Sequence, residues 1–282
     1  MANFYSNTIP FTGVPRDRTR DVGRFMSSMN PAVTFVLFAV AYSIVVFLGA
    51  YIGQHRRNLG ITEPEVSMET AVASVLGLLA FILGFTFSLT WSRFAARNLL
   101  VLAQAKAIAT CYLRAGLVPE RQKRESRKIL FEYTALLQIL HTLPDLQQSL
   151  ARVTAMQISL WEQTVSLVKE DIDSELRSLF VGSVNDLIGI SLERKVIAMF
   201  IRIPDAIWFT VFFLGLISLF AFGYQAGMGG IDKFFQLLLL PISISLVMVL
   251  IGELNSTYAQ RHFVVTKQPL IEVMEMMKKE IA

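Results

Sequence analysis

Apolar residues are arranged along this chain in two different patterns. In four stretches they run around the whole helix circumference with no charged residue among them: Pro31 to about Gly53, Ala71 to Trp91, Ile207 to Gly223, and Phe234 to Gly252, the last with Pro241 inside it. Crossing the hydrocarbon of a bilayer takes about 20 such residues in helical form, so the pattern predicts four transmembrane helices. Burial as core helices of a soluble protein is the competing reading, and it fits the first two runs poorly.

Between the second and third runs the pattern changes to apolar residues at helical spacing. Phe94, Val101, Ile108 and Tyr112 form one stripe, Leu130, Tyr133, Leu137 and Leu140 a second, and Leu146, Leu150, Val153 and Leu160 a third. Gly116 and Pro119 separate the first two, and Pro144 precedes the third. Helices are therefore predicted over about 92–115, 119–142, 145–170 and 173–202. No breaker separates the first of them from the second apolar run, so the two are expected to form one rod. The fold class expected is all-α: a polytopic membrane protein with four transmembrane helices and an antiparallel helical bundle inserted between spans two and three. The divisions are a tail over 1–30, spans one and two over 31–91, the bundle over 92–205, spans three and four over 206–252, and a C-terminal tail over 253–282.

Composition agrees with this division. Apolar residues make up 54% of the 282 residues and charged ones only 17%, and most of the charge falls between residues 93 and 205. Lysine and arginine are retained on the cytoplasmic side of a membrane. Arg16, Arg18, Arg20 and Arg24 lie before span one, Arg93 and Arg97 follow span two, Arg194, Lys195 and Arg202 precede span three, and Arg261, Lys267, Lys278 and Lys279 follow span four. The 54–70 loop holds Arg56 and Arg57 against Glu63, Glu65 and Glu69, and the 224–233 turn holds Asp232 and Lys233. Both termini and the bundle are thus expected to be cytoplasmic, in a multi-pass protein of the bacterial inner membrane. The first run is too long for a cleaved signal peptide and is read as a retained anchor. Cys111 is the single cysteine, so no internal disulfide forms. The hydrophobicity and the modest net charge of +4 argue against nucleic acid as a partner.

The sequence offers little for enzyme chemistry. It has no P-loop, dinucleotide fingerprint, HExxH, cysteine pair or Gly-x-Ser-x-Gly motif, and His55, His141 and His262 are far apart. Nothing implies a metal or another cofactor. The spans carry only neutral polar groups, which argues against a proton relay. Four helices are too few to enclose an aqueous path, so a pore would lie on the axis of a homo-oligomer, where apolar constrictions can gate by dewetting. Span two is the candidate lining, with Leu78, Phe81, Phe85 and Ser88 near one face, and Gly77 and Gly84 free to admit another helix. The plainer reading has the phenylalanines facing lipid or filling gaps. Arg93 and Arg97 are candidates for a cytoplasmic cation ring that attracts anions, with positive-inside anchoring as the alternative. Asn185 and Asp186 are candidates for a polar contact within the bundle or a solvated face, and Glu253, with Asn255, for a cation site or ordinary interfacial polarity. Ile271, Met274 and Met277 form an apolar stripe expected to dock on the bundle or the membrane surface.

Several of these motifs, in this order, resemble the bacterial bestrophin-like domain family. They are Gly77–Ser88, Ser92-Arg93-Phe94 with Arg97, Ala105–Thr110, Tyr112–Pro119, Asn185, Arg202-Ile203-Pro204, Gly223–Gly227 and Gln268-Pro269-Leu270. The chain departs from the family pattern at Gln104, where Glu is usual, and at Glu253 and Asn255, where aspartates are common. The resemblance implies kinship with bestrophins, pentameric anion channels whose second helix lines a neck with apolar residues. The expected function is therefore an oligomeric, anion-conducting channel with an axial pore lined by span two. The lipid bilayer, copies of the same chain and inorganic ions would be its partners. The alternative is a non-conducting scaffold or signalling protein whose cytoplasmic bundle binds a partner. A membrane-embedded enzyme ranks third.

Overall fold

A computed structural model describes residues 29–60, 65–140, 145–170, 172–199, 203–230, 234–255 and 265–281. The basic N-terminal arginines, Glu63, Arg202, Asp232, Lys233, Arg261, His141 and His262 lie outside them. The described residues form eight α-helices. The first, α1 (Pro31–Asn58), starts where Asn30 Oδ1 accepts from Ala32 N at 2.9 Å, with proline at the first helical position. It ends at Gly60, whose φ of 72° a side chain would strain.

The 50-residue helix α2 (Glu65–Arg114) joins span two and the first bundle helix into one rod, as the missing breaker predicts. At 1.5 Å per residue it is about 75 Å long. Hydrocarbon accounts for about 30 Å of that. A 3₁₀ turn over Ala115–Leu117 and then Pro119 reverse the chain into α3 (Glu120–Ile139). Next come α4 (Leu146–Ser166), capped by Asp145, and α5 (Ser174–Met199). Pro204 starts α6 (Asp205–Met228), followed by α7 (Phe234–Asn255) with Pro241 inside it, and α8 (Gln268–Ile281). By length and apolar composition α1, α2, α6 and α7 can each cross a membrane.

Two cores result. In the membrane, α1 and α6 meet backbone to backbone. A Cβ built on Gly223 would fall on the Val46 carbonyl oxygen, one on Gly227 on that of Ala50, and one on Gly53 on that of Tyr224. Glycine at a four-residue interval on both helices permits this approach, and close packing takes the place of the hydrophobic drive that lipid cannot supply. Tyr42 lies over Gly215, and Val46, Leu219, Met248 and Ile251 are buried in the same core.

The second core lies in the inserted bundle, around Ile108, Tyr112, Leu130, Leu160, Phe180 and Leu187. Both α2 and α4 pack on α3 and on α5, which places α2 and α4 diagonally across a four-helix bundle. The C-terminal helix α8 packs on α2 and α3 and belongs to this core. Its buried stripe is Leu270, Val273, Met274 and Met277, while Ile271 is exposed. Gln138 Nε2 donates to the Leu270 carbonyl at 3.0 Å, and Arg127 pairs with Glu280 at 3.0 Å.

Candidate functional site

The membrane half of α2 has two unlike sides. Val72, Leu79, Leu83, Thr86 and Thr90 are buried against the other spans. Thr86 and Thr90 satisfy their hydroxyls within the helix, donating to the Ile82 and Thr86 carbonyls at 2.7 Å. On the opposite side Leu78, Phe81 and Phe85 are 50%, 71% and 57% exposed, and Ser74, Ser88 and Ser92 are exposed with them. At 100° per residue these six positions, with Gly77 and Gly84, fall within an arc of roughly 120°. A Cβ built on either glycine would meet nothing within 4 Å. The two glycines therefore serve no close approach inside this chain, and they leave shallow notches in an open face.

This face differs from the one α1 leaves open. There Val33, Val36, Leu37, Val40, Ile44 and Leu48 are exposed, an aliphatic surface suited to lipid, with Tyr51 and Ile52 exposed beyond them towards the end of the helix. The α2 face mixes phenylalanine, glycine and serine instead. It has no ionisable side chain from Ala71 to Ser92, so it offers no group for proton transfer or metal ligation. What it can present is an apolar surface with hydroxyls towards each end.

Arg93 and Arg97 fall on a flank of α2 turned away from Phe81 and Phe85. Arg97 Nη2 donates to the carbonyl of Leu254 near the end of α7, and its Cζ lies 5.9 Å from the Phe94 ring centroid. Glu253 is buried beside Leu254. Asn98 Oδ1 accepts from Thr266 N at 3.0 Å. Adjacent α2 residues thus hold the end of α7 and the approach to α8. Asn185 and Asp186 are exposed on α5. Among the described residues no three His, Cys, Asp or Glu side chains gather as metal ligands.

One polar cluster was not among the candidates read from sequence. Gln104 on α2, Tyr133 on α3, Gln157 on α4 and Arg194 on α5 converge in the bundle, so each of its four main helices contributes one group. Gln104 Nε2 and Gln157 Nε2 donate to the Tyr133 hydroxyl at 2.8 and 3.2 Å, and Arg194 Nη1 donates to Gln104 Oε1. Burial pushes the Tyr133 pKa up and that of Arg194 down. An amide oxygen is what meets this guanidinium. The sequence held one trace of the cluster: a glutamine on the inward side of an alanine-rich helix.

The Bestrophin-like domain family model matches residues 35–270 of this chain. Similar solved structures include several of a bacterial bestrophin homologue from Klebsiella pneumoniae. One variant is 14% identical with a TM-score of 0.65, covering 88% of this chain and 97% of that one. A second variant is 14% identical with a TM-score of 0.64, covering 87% and 97%. A structure phased with zinc is 15% identical with a TM-score of 0.61, covering 87% and 96%. At such identities the likeness establishes the fold. No curated protein matches the sequence.

Proposed function

This chain belongs to the Bestrophin-like domain family, and from that premise we propose that it is an oligomeric ion channel whose axial pore is lined by α2. The observation that carries the proposal is the open α2 face. Phe81 and Phe85 sit midway along it, with Ser74 and Ser88 on either side and two glycine notches between. Several copies set around an axis would form an apolar neck with hydroxyls at both mouths, a constriction that passes ions when wetted and closes when dry. Anion conduction is the finer part of the proposal and rests on family kinship and on the absence of acidic groups along the face. Likeness to a bacterial homologue supports a bacterial inner membrane, and the distribution of lysines and arginines supports cytoplasmic termini and a cytoplasmic bundle.

Purified protein in planar bilayers tests this. Unitary currents are expected, and Phe85→Ala, which removes a ring from the neck, should raise conductance severalfold. A confirmed oligomer that is silent across anions, pH and Ca²⁺ would overturn the channel.

One observation favours the scaffold reading. Ile158, Trp161, Val165 and Val168 form an exposed stripe along α4 and the turn after it, on the side of the bundle diagonal to α2. Under that reading a soluble partner co-purifies and is lost with Trp161→Ala, while bilayers stay silent. The two surfaces lie on different sides of the protomer, so each can be tested without disturbing the other.

A further inference from the structure

The open face of α2 does not stop at the membrane. Exposed Trp91 marks the headgroup boundary, where tryptophan collects, and α2 runs on from there without a break to Arg114. Carried forward at 100° per residue, the line of Phe81, Phe85 and Ser88 passes through Leu99, Lys106, Thr110 and Leu113. All four are exposed, while Val101, Ala105, Ile108 and Tyr112 on the other side are buried in the bundle core. A helix side meant for bulk water is charged and polar along its length. Here Leu99 and Leu113 are each more than half exposed, so the face keeps beyond the membrane the mixed character it has within it.

Lys106 is the one charged side chain near the middle of this face, and among the described residues no ion pair or hydrogen bond holds it. Arg114, at the edge of the arc, donates to the Leu179 carbonyl on α5 at 3.0 Å. Beyond Glu69, α2 has no Asp or Glu, so no carboxylate of the helix offsets the Lys106 ammonium. Lys106 lies about 22 Å past Trp91 along the rod, clear of the hydrocarbon and in register with the apolar neck. The neck itself has no charge with which to tell an anion from a cation.

From this register we infer that Lys106 sets the charge preference of the pore. Copies around an axis place a ring of ammonium groups below the neck, which gathers anions at its bundle-side entrance and repels cations. The inference rests on the reading that α2 lines an axial pore, and adds to it the residue that selects the ion. A confined ring of one sign focuses its field and raises the local counter-ion concentration about tenfold or more, and rings of lysine or arginine suit pores for anions.

Reversal potentials of the full-length protein in planar bilayers, under a potassium chloride gradient, test it. In about 0.1 M salt, where the Debye length is about 10 Å, the wild type should prefer chloride. Lys106→Gln should lower the chloride-to-potassium permeability ratio about tenfold, and Lys106→Glu should invert the preference. In about 1 M salt, where the field reaches only about 3 Å, the three should converge. Restoring the charge separates this role from a structural one. Lys106→Cys should lose the preference, regain it with a positively charged thiosulfonate reagent added from the bundle side, and invert it with a negatively charged one. The wild type, whose Cys111 is buried, should respond to neither. Currents with one permeability ratio in the wild type, Lys106→Gln and Lys106→Glu would overturn the role of Lys106 and leave the pore standing. A confirmed oligomer that passes no current would overturn the pore, and this inference with it.

Discussion

Gly223 and Gly227 are where α1 and α6 come close enough for one helix's backbone to touch the other's. Their replacement leaves no room for adjustment, because the atoms a side chain would meet are backbone carbonyls. Gly223→Leu should therefore separate the helices and cost about 1–3 kcal/mol or more, the scale of overpacking. It would be read as a lower melting temperature of the detergent-solubilised protein, while Gly77→Leu on the open α2 face should leave that temperature nearly unchanged. In the bundle, Arg194 depends on the Gln104 oxygen. Gln104→Leu removes that acceptor and should cost about 2–3 kcal/mol. Gln104→Glu puts a carboxylate in its place and should keep or raise the melting temperature. A loss of stability equal to that of Gln104→Leu would show that the charge on Arg194 is not what the cluster serves.

At the scale of elements, α2 is one stiff connection between the open face and the bundle. Its residues Arg97 and Asn98 tie it to α7 and to the approach to α8. The packing of α8 closes the bundle core over Tyr112 and Leu130, with Met277 fully buried. Met277→Asp would bury an unpaired carboxylate, so α8 should detach without disturbing the spans. Cys111, in the same core but beside Ser183 of α5, reports whether loss of α8 loosens the bundle as a whole. It is fully buried, and burial pushes its thiol up to about 12, so at pH 8 it is both protonated and shielded. The wild type should resist a thiol reagent at pH 8, and Met277→Asp should label within the same time. Rapid labelling of the native wild type would mean that the bundle opens readily.

For the whole molecule, the diagonal placement of α2 and α4 has a consequence for assembly. If the α2 faces line an axis, the α4 stripes lie on the perimeter, and neighbouring copies meet through the sides between. Each copy then uses two different surfaces against its neighbours, and such head-to-tail contacts close into a ring, whereas a two-fold dimer uses one surface twice. Mass measurement of the solubilised complex should give more than two copies. A strict dimer would leave the α2 faces without an axis to line.

How much of this was legible in the sequence depends on how local the cause is. The four uncharged runs, the unbroken passage from span two into the bundle, and the break at Gly116 and Pro119 follow from hydropathy, helix period and proline geometry, and these act within one or two turns. The distinct α2 face was legible as a grouping of Phe81, Phe85 and Ser88. Its openness was not, because exposure depends on which side the other spans occupy. Gly77 and Gly84 look in sequence as able to admit a helix as Gly223 and Gly227, yet only the second pair meets one within the chain. The Gln104–Tyr133–Gln157–Arg194 cluster joins residues as many as 90 positions apart. No local rule reaches across that interval. Local chemistry determined which helices form and which of them cross the membrane, whereas packing decided which faces are spent on each other and which remain for a pore, a lipid or a partner.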